Sequence, residues 1–270
     1  MAEYLKVTIL GCGSSGGVPR IGNKWGDCDP NEPKNRRRRC SILVQKSAKK
    51  NGPTTDVLID TSPDMAEQLN RADQPRLDAV LYTHAHADQA HGIDDLRMVA
   101  MNMRARVDVY MDETTARWIT TRFDYCFRTP EGSSYPPILN PHPLEPHVPV
   151  TIDGPGGPVT FEPLLLEHGD IPALGFKVGQ VAYSPDVVGV PPRARDAIRG
   201  ADCWIVDALR RMPHPSHANL DMSLGWLADV KPKLGVLTNM HVDLDYQTLV
   251  RELPEGVVPA YDGMVLEFDL

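Results

Sequence analysis

The 270-residue chain is 41% hydrophobic and 24% charged, with a formal net charge of −8; this allows one sizeable core and argues against a broad nucleic-acid or anionic-membrane surface. No apolar run approaches the roughly 18 residues of a membrane span, so a protein free of the membrane is expected. Five cysteines at wide spacing (Cys12, Cys28, Cys40, Cys126, Cys203) do not read as a disulfide framework, and "MAEYLKVTIL" lacks a secretory pattern, so the expected compartment is the reducing cytoplasm.

The first predicted strand, "LKVTIL", runs into "GCGSSGGVPRIG". Its Gly11-Cys12-Gly13-Ser14-Ser15-Gly16 fits GxGxxG, but a dinucleotide turn needs its third glycine to open a helix and an acidic residue about 20 positions on. Here Gly17, Pro19, Gly22 and Gly26 continue a loop instead. Strand-like runs follow at "CSILVQ", "DVLID", "DAVLYT" and "VDVYM", then at "VTFEPLLLE", "GFKV", "VAYS", "CWIVDA", "LGVLTN" and "MVLEF". Helical periodicity marks "MAEQLNRA", "IDDLRMVAMNMRA", "TARWITTRFDYCF", "RARDAIRGA", "MSLGWLADV" and "YQTLVREL". The class is α/β, read as two sheets with helices outside. The Pro-rich segment 132–149 reads as a surface excursion, and residues 1–270 as a single domain.

The strand "LDAVLYT" ends in His84-Ala85-His86-Ala87-Asp88-Gln89-Ala90-His91. Alternate residues of an extended segment face one side, so His84 and His86 can point at one metal, with Asp88 close by where a helix begins. His168, Asp186 and His241 each follow an apolar run later in the chain, and complete a candidate ligand set.

These positions match, in order, the HxHxDH motif and later His, Asp and His ligands of the metallo-β-lactamase superfamily, which the chain resembles over nearly its whole length. The resemblance implies an αββα sandwich of two mixed sheets with two divalent metal ions, Zn or Mn, at one edge. His84, His86 and His168 would hold the first ion, Asp88 and His241 the second, and Asp186 would bridge them. Asp60, at the end of "DVLID", would orient a ligand histidine from behind. Gln89 stands where the family has histidine, and an amide oxygen is a weaker ligand than imidazole, so the second ion is expected to be weakly held. His91 reads as a supporting group or an ordinary helix residue.

"GCGSSGGVPRIG", "NRRRRCS", "LIDTSPD" and "TNMHVDLDY" are similar to the branch holding phosphonate-pathway cyclic phosphodiesterases and tRNA-processing nucleases. That likeness assigns the glycine-rich turn to the first hairpin, near the metal edge. Phosphodiester hydrolysis needs a metal-activated hydroxide, charge stabilisation and a proton for the leaving alkoxide. In "RMPHPSHANLD", His217 matches the branch's general acid and His214 is the weaker candidate. Arg36 to Arg39 read as phosphate ligands or a solvated run, and Cys28 with Cys40 lack the cluster a structural zinc would need. The expected function is a metal-dependent phosphodiesterase acting on a small cyclic or sugar phosphodiester, with Asp88 and His217 in catalysis. Hydrolysis of a lactone or thioester, or metal binding without catalysis, are the alternatives. The expected partner is that small molecule, without nucleic acid or membrane; a homodimer is allowed.

Overall fold

In the computed structural model, which describes residues 3–270, the alternation of apolar side chains decides which way the first strands face. β1 (Tyr4–Gly11), β2 (Ser41–Ser47) and β3 (Thr55–Ile59) put Leu5, Val7, Ile9, Ile42, Val44, Val57 and Ile59 into one core. Leu43 and Leu58, one residue out of phase, enter a second core on the opposite face. Successive strand residues point to opposite faces, so a sheet covered on both sides needs such unbroken apolar runs.

These strands join β4 (Ala79–Leu81), β5 (Val107–Met111), β6 (Leu139–Pro143) and β14 (Met264–Asp269) in a seven-stranded mixed sheet of order β14-β1-β2-β3-β4-β5-β6. The second seven-stranded sheet has the order β13-β12-β11-β10-β9-β8-β7. It holds β7 (Val150–Ile152), β8 (Val159–His168), β9 (Ile171–Val178), β10 (Val181–Ser184), β11 (Cys203–Asp207), β12 (Leu234–Thr238) and β13 (Val257–Pro259).

Phe161, Leu164, Leu166 and Phe176 of the second sheet share the first core with β1–β3, so the sheets pack face to face. α1 (Met65–Arg71), α3 (Leu96–Met103) and α4 (Glu113–Arg122) cover the outer face of the first sheet. α6 (Pro192–Ile198), α7 (Leu220–Val230) and α8 (Tyr246–Glu252) add Ala194, Leu227 and Leu249 to the core on the second sheet's side. The short α2 (Ala87–Ala90) and α5 (Asp124–Phe127) lie in the connections. This is the expected αββα sandwich.

One reading of the sequence needs correction. The Pro-rich segment is not wholly an excursion, because Leu139–Pro143 pairs in parallel with β5 as the edge strand. Pro141 and Pro143 lack an N–H to donate, and an edge position tolerates that.

Strand direction sets where the site lies. β10, β11 and β12 are mutually parallel, and two antiparallel steps through β9 give β8 the same sense. β3 and β4 are parallel in the other sheet. Gly13 bridges to both Arg39 and Met240, tying the two sheets together just beyond β1. The glycine-rich turn therefore belongs to this edge. A Cβ at Gly11 would stand 2.0 Å from the Arg39 carbonyl oxygen, so only glycine fits there.

Candidate active site

His84 lies three residues past the end of β4 and is buried. The backbone N–H and hydroxyl of the preceding Thr83 each donate to Asp60 at 2.8 Å. That commits the single hydroxyl proton, so the contact of 3.0 Å between Thr83 Oγ1 and His84 Nδ1 has the ring nitrogen as donor. His84 Nε2 is left as a bare lone pair, and it is buried without a hydrogen-bond partner among the described residues. Burial, with the neighbouring histidines, pushes the His84 pKa down to about 3 against the pull of Asp186, so the ring is neutral. Asp60 thus orients the histidine through Thr83, from a backbone with φ of 65° that a non-glycine residue adopts only under constraint.

His168, the last residue of β8, repeats the logic. Its Nδ1 lies 2.7 Å from the Ser216 carbonyl oxygen, which can only accept, so Nδ1 carries the proton. Its Nε2 turns to His86 Nδ1 at 3.3 Å. His86 is the exposed member, and one ligand atom from each of His84, His86 and His168 lies within 4.8 Å of the others. Three neutral imidazoles converging lone pairs, one of them orphaned in the interior, are a donor set that a divalent cation satisfies.

Asp186, just past β10, is buried and accepts from Gln89 Nε2 at 2.6 Å and Asn239 Nδ2 at 2.7 Å. Burial disfavours its charge, but the surrounding His84, His217, His168 and His86 outweigh this and hold its carboxyl below the ordinary value. Asp186 also groups with His168 and His217 within 4.8 Å. Asp88 is pushed up to about 6 by burial and by the Asp186 charge. Two mutually repelling, desolvated carboxylates beside neutral imidazoles are a place where a cation lowers the energy.

The other expected residues are placed unequally. Asp88 and His241 fall outside both three-residue groups, and His241 Nδ1 pairs with Asp243 at 3.1 Å. Gln89 is fully buried against Asp186, and its Oε1 has no partner among the described residues. We therefore expect Gln89→His to saturate with less added metal than the wild type, because imidazole replaces a weak amide ligand. Superimposable metal titrations of the two proteins would refute this. His91 caps α2 on the surface, edge-on to Phe123 at 5.8 Å, and takes no part in the cluster. His214 sits 5.0 Å from the His217 ring and accepts from Ser216 N.

The sequence reading missed three residues. Asp207 ends β11 fully buried, with its Oδ2 2.9 Å from His217 Nδ1 and 3.2 Å from Val187 N. Asn239 follows β12 in the left-handed region with φ of 59°, and its Oδ1 is 3.8 Å from Cys40 Sγ. Arg122, closing α4, donates to the Ala85 carbonyl at 2.7 Å between the two motif histidines. A carboxylate closing an apolar strand, the signal used for Asp60 and Asp186, was present at "CWIVD" for Asp207. Asn239 lay inside the quoted "TNMHVDLDY".

Residues 55–240 match the beta-lactamase superfamily domain. A crystal structure described as a new diphosphatase from the PhnP family aligns with 100% of this chain and 99% of its own, at 34% identity and a TM-score of 0.87. Zn(2+)-bound PqqB from Methylobacterium extorquens aligns with 97% of this chain and 99% of its own, at 18% identity and a TM-score of 0.71, a likeness of fold alone. The short form of human tRNase Z does so over 97% and 98%, at 16% identity and a TM-score of 0.63. Among curated proteins, an octanoyltransferase of Porphyromonas gingivalis is 30% identical over 265 residues, 96% of this chain and 51% of the relative. The chain thus spans about half the length of the curated relative it matches. With the domain match covering most of the sandwich and the histidine–carboxylate cluster at its edge, the chain belongs to the metallo-β-lactamase superfamily.

Proposed function

We propose that the protein hydrolyses a P–O bond in a small phosphodiester or diphosphate, acting as one domain with its catalytic groups at the sandwich edge. The observation that carries this reading is the pairing of His217 with buried Asp207 beside the ligand cluster. Divalent ions held by His84, His86, His168 and Asp186, with Asp88 and His241 completing a second position, would supply Lewis acidity toward phosphoryl oxygens and lower the pKa of water. Zinc fits the imidazole-rich set, and manganese the oxygen-rich second position. The 34% identity to a PhnP-family diphosphatase over the whole chain supports phosphoryl chemistry.

What this chain's own residues add is the proton. Asp207 Oδ2 accepts from His217 Nδ1–H, so Nε2 is left to carry a transferable proton. Burial opposes charge on His217, but the hydrogen bond and charge of Asp207, with Asp186 and Asp88, raise its pKa to about 9. The imidazolium is therefore the resting form at neutral pH. Asn239 Nδ2 lies 3.2 Å from His217 Nδ1, where both are donors, so the amide donates instead to Asp186 Oδ1 at 2.7 Å, an oxygen that itself lies 3.4 Å from His217 Nδ1.

A sign follows for pH dependence. Activity on substrates with poor leaving groups should fall on the alkaline side, where His217 loses the proton that Asp207 helps it hold. Asp207→Asn removes both the ionic partner and its charge, so this alkaline limb should move to lower pH. A pH–rate profile on a methyl phosphodiester checks it, and an unmoved limb would assign the proton to another group.

The octanoyltransferase name of the curated relative favours one second reading, hydrolysis of an ester or thioester at the same centre. In that case His217 is dispensable. Turnover of alkyl and aryl phosphodiesters, a diphosphate diester, lactones and thioesters measured side by side decides between them. The proposal fails if acyl substrates turn over and phosphoryl substrates do not.

A further inference from the structure

The four consecutive arginines are not equivalent. Arg37 is buried and donates to the carbonyls of Leu244 at 2.7 Å and His241 at 3.3 Å and to Asn35 Oδ1 at 3.2 Å, so its charge is spent on the loop that carries His241. Arg38 is clamped between Asp262 and Glu67. Arg36 is exposed and lies over the Trp25 ring at 5.1 Å.

Arg39 differs from all three. Its Nε sits 3.1 Å from Asp64 Oδ2, which also accepts its backbone N–H at 2.9 Å, fixing the side chain against the start of α1. Among the described residues no group hydrogen-bonds its Nη1 or Nη2, although the side chain is only 28% exposed. Its backbone bridges Gly13 at the edge where Gly13 also meets Met240, next to His241. A Cβ on Gly17, whose φ is 63°, would stand 3.6 Å from Nη1, so the glycine-rich loop passes over the guanidinium at contact distance. The Arg39 charge also reaches Asp88 and works against the upward push of burial there. The result is a half-spent guanidinium, held by one anchor, with its fork open beside the ligand cluster.

We propose that Arg39 is a substrate-binding residue that grips a second phosphoryl group adjoining the one hydrolysed, so that the site prefers diphosphates, or esters bearing a further phosphate, to simple phosphodiesters. The metal ions serve the reacting phosphoryl group, whereas a planar fork of free N–H groups matches the oxygens of another. A side chain at Gly17 would touch Nη1, so the glycine there keeps the loop from covering that nitrogen further. This inference rests on the phosphoryl reading above.

The test compares wild type, Arg39→Gln, Arg39→Lys and Asp64→Asn as metal-loaded proteins. Substrates are methyl p-nitrophenyl phosphate, with one phosphoryl group, and a diphosphate diester; calorimetry with a methylene-bridged diphosphonate diester measures binding without turnover. Arg39→Gln should raise KM for the diphosphate and the Kd for the diphosphonate about 10–100-fold, with the loss in KM and not in kcat. Arg39→Lys should recover only part of it, since a point charge cannot reproduce the fork. Asp64→Asn removes the anchor but leaves the charge, and should shift the preference less. If Arg39 merely braces α1, Arg39→Gln and Asp64→Asn will lower the melting temperature alike and change both substrates in proportion, which overturns the proposal. Should neither phosphoryl substrate turn over, the hydrolytic reading fails by itself, while unchanged diphosphonate binding in Arg39→Gln still overturns the role of Arg39.

Discussion

Replacing His217 with alanine is expected to lower kcat for an alkyl or cyclic sugar phosphodiester by a factor on the order of 10²–10⁴, and far less for a nitrophenyl diester. An alkoxide needs a proton as it departs, whereas a nitrophenolate leaves without one, so only the first substrate registers the loss of an acid. The geometry behind this is the 2.9 Å contact with Asp207, which fixes the ring and leaves Nε2 as the proton carrier. His217 also groups with His168 and Asp186, so metal content must be measured on the same preparation. Equal losses on both substrates with the metal retained would make His217 a substrate-positioning residue and shift the acid role to His214 or to water.

His84→Ala is expected to empty the better-held metal position and to cut kcat/KM by more than about a thousandfold. A bound ion contributes several kcal/mol of charge stabilisation, and each 1.36 kcal/mol is tenfold in rate. The reason for choosing His84 is its burial and its orphaned Nε2, which has no alternative partner among the described residues. His91→Ala is the matched control, since His91 belongs to the same motif but lies on the surface against Phe123. Elemental analysis and turnover of both variants check this. A His84→Ala protein that keeps its metal and its rate would remove His84 from the site.

The strands were legible because both faces of both sheets are covered, so "ILV" and "WIV" runs stand out from their surroundings. β6, β7 and β13 were not, being short edge or near-edge strands that carry prolines or few apolar residues. The histidines were legible because alternation on one short segment makes convergence on a cation the economical reading. Asp207 and Asn239 were harder. Their roles arise only when parallel pairing of β10, β11 and β12 brings the ends of those strands together, so Asp207 meets His217 and Asn239 meets Asp186. The arginine run shows the same limit, since charge alone does not reveal that Arg37 is buried while Arg39 keeps an open fork.

The most direct test of a metal-dependent phosphoryl hydrolase is to assay one preparation on an alkyl phosphodiester and a diphosphate diester before chelation, after it, and after adding back Zn²⁺ or Mn²⁺, with elemental analysis at each stage. Bound divalent metal, loss of at least about a hundredfold in rate on chelation, and recovery on adding metal back are the predicted results. Undiminished phosphoryl hydrolysis by metal-free protein, or a metal-loaded protein that hydrolyses neither substrate, would contradict it.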